Sequence, residues 1–382
     1  MSASFSQTLD QPASSEVGSN IIQWKQLWSL AALYGSIIIG WIAYQNYQPK
    51  LLEKFRFTEF TLFLVVAQGI ILIVTPPIAG KLGDRFRKTG GNRLPIITLG
   101  IAFAAMIFMA VAFTLFSNPG EILRWVLPVL IILWLIAMSI FTSPALSTIE
   151  LFTPMERMPK AMALLTIVSN LLYALEPVIV DIIDYLGAPL TFIVGGIAVL
   201  LSGYFLRRNS ENLFKHQGGQ VDAIIPNASF EGRGSSGQNW GFIFLMGIGL
   251  GIATSVMFNL FPPVYTKLFG LNGKLMIVGI LILSGILSIP LSNVVNNRGL
   301  KRSFYRGMVV VLLSIAAILL ASSVWMAVML TLVFTIVFTV LSVSTLPLAI
   351  QLARNNEKVF CVGIFFSGVA LPDAIINYVL LA

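Results

Sequence analysis

Apolar residues run down this chain in long blocks separated by short polar breaks. Blocks of spanning length fall at 26–46, 59–80, 94–116, 123–149, 161–182, 187–206, 240–262, 273–292, 303–322, 324–352 and 358–381. A helix crosses the hydrocarbon core of a bilayer in roughly 20 residues. The pattern therefore predicts an all-α membrane protein, a bundle of about eleven transmembrane helices. Prolines lie inside several blocks, at Pro76-Pro77, Pro177, Pro262-Pro263 and Pro372. Neighbouring helices re-satisfy backbone groups that a proline frees, so these predict kinks rather than ends.

Two polar stretches stand apart from the blocks. Residues 1–22 are rich in Ser and carry Asp10 and Glu16 but no Lys or Arg. A secretory signal needs a positive segment before its apolar core. The first span is thus expected to stay in the protein, behind a disordered cytoplasmic segment 1–25. Residues 207–239 hold Gly218-Gly219, Gly232, Gly234 and Ser235-Ser236-Gly237 and read as a cytoplasmic linker. That linker would divide a six-helix half, 26–206, from a five-helix half, 240–382.

Composition agrees with lipid as the solvent. Of 382 residues, 57% are hydrophobic and 10% charged, and the mean hydropathy is +0.88; a soluble domain carries about 25% charged residues. The net charge of +8 has its explanation in the excess of Lys and Arg on cytoplasmic loops, so nucleic acid is not an expected partner. With the N-terminus inside, eighteen of the 24 Lys and Arg fall on the cytoplasmic side and six outside. An odd helix count then puts the C-terminus outside. The expected place is a plasma or inner membrane, and the expected form a monomer. The single cysteine, Cys361, rules out an intramolecular disulfide. The single histidine, His216, lies in the polar linker, which removes histidine-based catalysis and a His-rich metal site. No enzyme activity, cofactor or metal is expected. A phosphate-cradling Gly loop is missing, which argues against an ATP-driven pump.

The two halves resemble each other. Gly80-Lys-Leu-Gly-Asp-Arg85 ends the second span, and Ser292-Asn-Val-Val-Asn-Asn-Arg-Gly299 ends the eighth; Ser143-Pro-Ala-Leu146 and Thr345-Leu-Pro-Leu348 sit near the ends of the fourth and tenth. Internal repeats at an offset of about 200 residues are a transporter signature, with the substrate site between the repeats. The segment Gly80-Lys-Leu-Gly-Asp-Arg-Phe-Arg-Lys88 resembles the helix 2–3 loop motif of the major facilitator superfamily, with Arg87 where that motif has Gly. The physical sense is direct: Gly80 admits a neighbouring helix, Asp84 faces a positive helix end, and Arg85 caps carbonyls and holds the loop inside. Thr89-Gly-Gly-Asn-Arg-Leu-Pro95, Ser143-Pro-Ala-Leu-Ser-Thr-Ile-Glu150 and Gly363–Pro372 resemble stretches of the glycoside–pentoside–hexuronide cation symporters and sucrose-type transporters. Glu150 stands where those have Asp, and their arginine is missing. The chain stops where a twelfth helix of that family would begin. The resemblance implies a conformational gate made of Gly80, Asp84, Arg85 and Glu150, with Glu150 pairing with Arg85 or a neighbouring Arg.

Ionisable residues inside a span are costly and mark function or snorkel to water. Glu176 and Asp373 fall roughly 24 Å and 22 Å along their helices, each beside a proline, and are the candidates for ion coupling. Tyr34, Trp41, Gln45, Gln68, Asn170, Tyr173 and Asn259 are candidates for binding a small polar solute. Rings stack on sugar faces and amides bind hydroxyls, although the same residue types also serve as packing contacts and interface anchors. The expectation is secondary transport of a small solute, with a sugar in view, by symport with protons or sodium. The alternative is a pigment-delivery or assembly factor on the same fold in a photosynthetic membrane.

Overall fold

The computed structural model describes residues 21–54, 61–90, 93–116, 125–221, 239–270 and 272–381. The expected disordered segment up to residue 20, and the Gly- and Ser-rich part of the expected linker over 222–238, lie outside the described residues. Among the described residues the chain is helical and has no strand.

The long helices of the first part are α1 (Trp24–Lys54), α2 (Thr61–Gly90), α3 (Leu94–Phe116) and α4 (Val126–Ser147), the last continued by one turn, α5 (Ile149–Phe152). Then come α6 (Met158–Ala174), α7 (Glu176–Leu186) and α8 (Ala188–Val221). The second part holds α9 (Trp240–Asn259), α10 (Phe261–Phe269), α11 (Gly273–Arg298), α12 (Leu300–Leu319), α13 (Val324–Leu352) and α14 (Lys358–Leu381). Ten of these stretches are long and apolar enough to cross a membrane, and α6 with α7 makes an eleventh if counted as one bent span. The outer surface suits lipid: Phe113, Ile286, Leu313 and Trp325 all point outward. Water would penalise such a surface, since soluble proteins keep exposed apolar patches small.

Three boundaries differ from the sequence expectation, each for a local reason. Helix α8 runs on to Val221, so residues 207–221 are helix and not linker. Leu206, Ser210 and Phe214 recur at four-residue spacing and are buried. Asn209 donates to the Ser29 hydroxyl at 2.6 Å, and the Gln26 amide donates to the Asn209 carbonyl at 3.1 Å, which ties this extension to the start of α1. Helix α2 likewise continues ten residues past 80, carrying the whole basic motif on a helix instead of a loop. The fifth span is broken rather than kinked: α6 and α7 meet at 60°. Pro177 lacks the N–H that would bond the Tyr173 carbonyl, and its ring crowds that turn.

Packing follows the internal repeat. Helix α2 lies against α14, and α11 lies against α6. The second and eighth spans correspond in the repeat, as do the fifth and eleventh, so these two contacts are exchanged copies of each other. Helix α9 packs on α14 and α3 on α8 within each part. Close approach needs small residues: a Cβ on Gly80 would sit 2.6 Å from the Val359 carbonyl oxygen and 2.7 Å from the Phe360 Cα.

Candidate functional site

The polar interior has two centres. The first closes the α2–α14 contact at the end of the bundle where α2 finishes. Gly80 lets the two backbones touch, and Asp84, one turn later and buried, meets the first turn of α14. The Val359 and Phe360 backbone N–H groups donate to its two carboxylate oxygens at 3.2 and 2.8 Å. A helix start has unpaired N–H donors and a partial positive charge. Hydrogen bonds of this charged kind are worth about 1.5–3 kcal/mol each.

Next to Asp84 lies a second carboxylate. Glu150 on α5 has a side chain 5% exposed. Arg93, 1% exposed, forms an ion pair with it, and its other guanidinium nitrogen donates to the Ser147 carbonyl and hydroxyl at 3.2 and 3.0 Å. Lys358, the first residue of α14, reaches Glu150 at 2.7 Å, and Arg87 stands 4.0 Å away while donating to the Asn355 carbonyl at 2.7 Å. Two carboxylates and three cations from α2, the start of α3, α5 and α14 therefore form one connected set. The arginine that pairs with Glu150 is Arg93, and Arg85 points to the exposed side of α2. The reason is helical register. Asp84 faces α14, so its neighbour is turned about 100° away at 3.6 residues per turn, while Arg87 returns to the buried side.

The second centre lies where α6, α9 and α14 meet. The Asp373 carboxylate accepts from the Asn377 amide at 3.0 Å and faces the Ser255 hydroxyl at 3.5 Å. Asn259 sits beside it and donates to the Ser255 carbonyl at 3.0 Å. The Tyr173 ring meets Phe258 at 5.5 Å, and Tyr34, facing the Ser169 hydroxyl, and Glu176 lie around Tyr173. Glu176 itself opens α7 at the 60° break and is half-buried. The bend means its depth cannot be counted along one straight axis, as the sequence reading did.

The remaining solute candidates go elsewhere. Trp41 sits edge-on to Tyr44 and Trp134, and the Tyr44 hydroxyl donates to Gln68 at 3.0 Å, all within the first part of the chain. Gln45 is exposed. Asn170 bridges α6 to α11 by donating to the Ser284 hydroxyl at 2.9 Å, which also receives Thr339 at 2.7 Å. Of the seven solute candidates, the structure brings Tyr34, Tyr173 and Asn259 together.

The family model described as Major Facilitator Superfamily matches residues 6–175 and 63–376. The chain belongs to the major facilitator superfamily. No curated protein matches it. Among solved structures, the human organic anion transporter MFSD10 (TETRAN) superposes with a TM-score of 0.68 at 12% identity, covering 94% of this chain and 92% of that one. The proton:xylose symporter XylE bound to 6-bromo-6-deoxy-D-glucose superposes with a TM-score of 0.65 at 13% identity, covering 94% and 89%. At these identities the likeness is one of fold.

Sequence reasoning missed several residues of this major facilitator. Arg93 stands in the stretch Thr89–Pro95 but is not singled out by it as the partner of Glu150, and Lys358 has no place in the expected gate. The signal for Asn377 was present, four residues after Asp373 and so on the same helix face. Ser255 has the same four-residue relation to Asn259.

Proposed function

We propose that the protein is a secondary transporter of a small polar solute, with a sugar as the favoured class, working by alternating access and coupled to a monovalent cation. The observation that carries this reading is the half-buried polar group around Asp373 and Tyr173, set among α6, α9 and α14. Ionisable residues within a membrane span are costly and usually functional. Tyr34 and Tyr173 supply rings for a sugar face, and Asn259 supplies an amide for a hydroxyl. In this reading the α2 end faces the cytoplasm, and the Asp84 and Glu150 contacts hold that face shut. Asp373 takes precedence over Glu176 as the coupling acid, because it is held by hydrogen-bonding neighbours while Glu176 sits at the break.

The test is counterflow in proteoliposomes. Vesicles loaded with each of a panel of monosaccharides and disaccharides are diluted into the labelled sugar, with no ion gradient imposed. Overshoot with one sugar class is expected in the native protein and lost in Tyr173→Ala. Overshoot only with non-sugar solutes would remove the sugar assignment. Pigment copurifying with a protein that exchanges no solute would replace transport by the pigment-delivery alternative.

A further inference from the structure

Helices α9 and α14 meet along one seam with a four-residue step. Gly247 faces the Phe365 carbonyl, and Gly251 faces the Val369 carbonyl. Ser255 then faces Asp373, at the same offset of 118 positions. One more step brings Asn259 and Asn377. Both partners rise in number together, so the helices run parallel, and the glycines draw their backbones into contact at one end of the seam. Beyond the glycines the seam is filled by a hydroxyl, two amides and a carboxylate.

Asp373 is half-buried in this seam, and its partners are neutral. Among the described residues no ion pair involves Asp373. A partly buried carboxylate is stabilised by a counter-charge. The seam also reaches a kink in the span, since α9 ends at Asn259 and α10 begins at Phe261. Pro262 and Pro263 carry no N–H, so the carbonyls of Phe258 and Asn259 lose their ordinary i+4 donors. The C-terminal end of a helix is partially negative and favours a cation.

We propose that Ser255, Asn259, Asp373 and Asn377 form a binding site for one sodium ion at the α9–α14 seam. The donors are hard oxygens, which suit an alkali cation and not a soft metal. One carboxylate among neutral donors matches one positive charge. The amide groups of Asn259 and Asn377 turn over to present oxygen when the ion enters, since an amide offers either face. Sodium here neutralises Asp373 and ties α9 to α14 on the side of Tyr173. This deepens the transport reading, on which the ion's use rests, while the binding itself is measured without any solute.

The experiment is equilibrium binding of radioactive sodium to the purified full-length protein in detergent, with choline chloride holding ionic strength constant. Thermal unfolding in NaCl against choline chloride is read in parallel. The expected result is a single saturable site and a higher Tm in sodium. Asp373→Asn abolishes both, and Ser255→Ala and Asn377→Ala each weaken affinity by about tenfold or more, in the range seen when a metal site loses a supporting group. If Asp373→Asn does not fold, the two milder variants carry the test. Native binding indistinguishable from a choline-competed background, or binding unchanged in all three variants, overturns the site. Solute uptake driven by a pH gradient in sodium-free medium, together with no sodium binding, overturns it as well while leaving transport standing. Sodium binding without counterflow of any solute keeps the site and removes the transport reading.

Discussion

At the scale of single residues, the most exacting position is Glu150. Its carboxylate is the partner of Arg93, a guanidinium with almost no access to water. Glu150→Gln removes one charge and leaves the other buried, a loss of about 3–5 kcal/mol for a broken buried pair. A clear fall in Tm of the purified protein is expected, and the combined Glu150→Leu, Arg93→Met variant should recover part of it, because packed apolar groups replace the Arg93 pair at little cost while Lys358 loses its partner. Asp84→Asn is milder for stability. It keeps an acceptor oxygen but gives up the charge that faces the α14 start. Spin labels on the ends of α2 and α14 should report a larger open fraction, by about tenfold for about 1.4 kcal/mol, with the fold retained. The place of Asp84 was readable in the sequence because Gly80-x-x-x-Asp84 is a local pattern. An arginine partner for Glu150 was expected too, but not which one, since residues 57 positions apart meet only through tertiary packing. Nor could sequence sort Tyr173 from Trp41. Both lie in apolar helices buried on more than one side, so no polar stripe marks the face toward the centre.

At the scale of elements, the spans were legible because lipid demands length and apolarity together. The polar ends were less so. Residues 207–221 join α8 on the strength of two buried positions, Ser210 and Phe214, among many polar ones, and the continuation of α2 through Lys81–Lys88 carries too many charges to read as a span. The break before Glu176 was seen as a proline but not as a 60° bend, whose size is fixed by what packs on either side. Pro177→Leu restores a donor for the Tyr173 carbonyl and should straighten the α6–α7 junction. The expected outcome is slower exchange between conformations with solute affinity little changed, read from the rate of counterflow against its half-saturation.

At the scale of the molecule, the repeat is visible in the exchanged contacts α2–α14 and α6–α11, yet the two are chemically unequal. The α2 copy carries Asp84, and the corresponding end of α11 carries Asn296 and Asn297. Sidedness is testable because the native thiol Cys361 is buried and accepts little label. Tyr185→Cys should react with an impermeant maleimide on intact cells, and Lys301→Cys only after permeabilisation; the reverse would invert the proposed orientation. A last consequence comes from α14. Its first turn holds Asp84, and its seam with α9 holds Asp373 fourteen residues on, about 21 Å along one helix. A single rod thus touches both ends of the machine, and whatever binds at one end is thermodynamically linked to the other. If sodium at the far end favours the locked state by some factor, locking must raise sodium affinity by that same factor, because linkage between equilibria is reciprocal. Asp84→Asn, which never touches the ion, should therefore shift the sodium titration curve, and the size of that shift measures how stiffly the rod transmits.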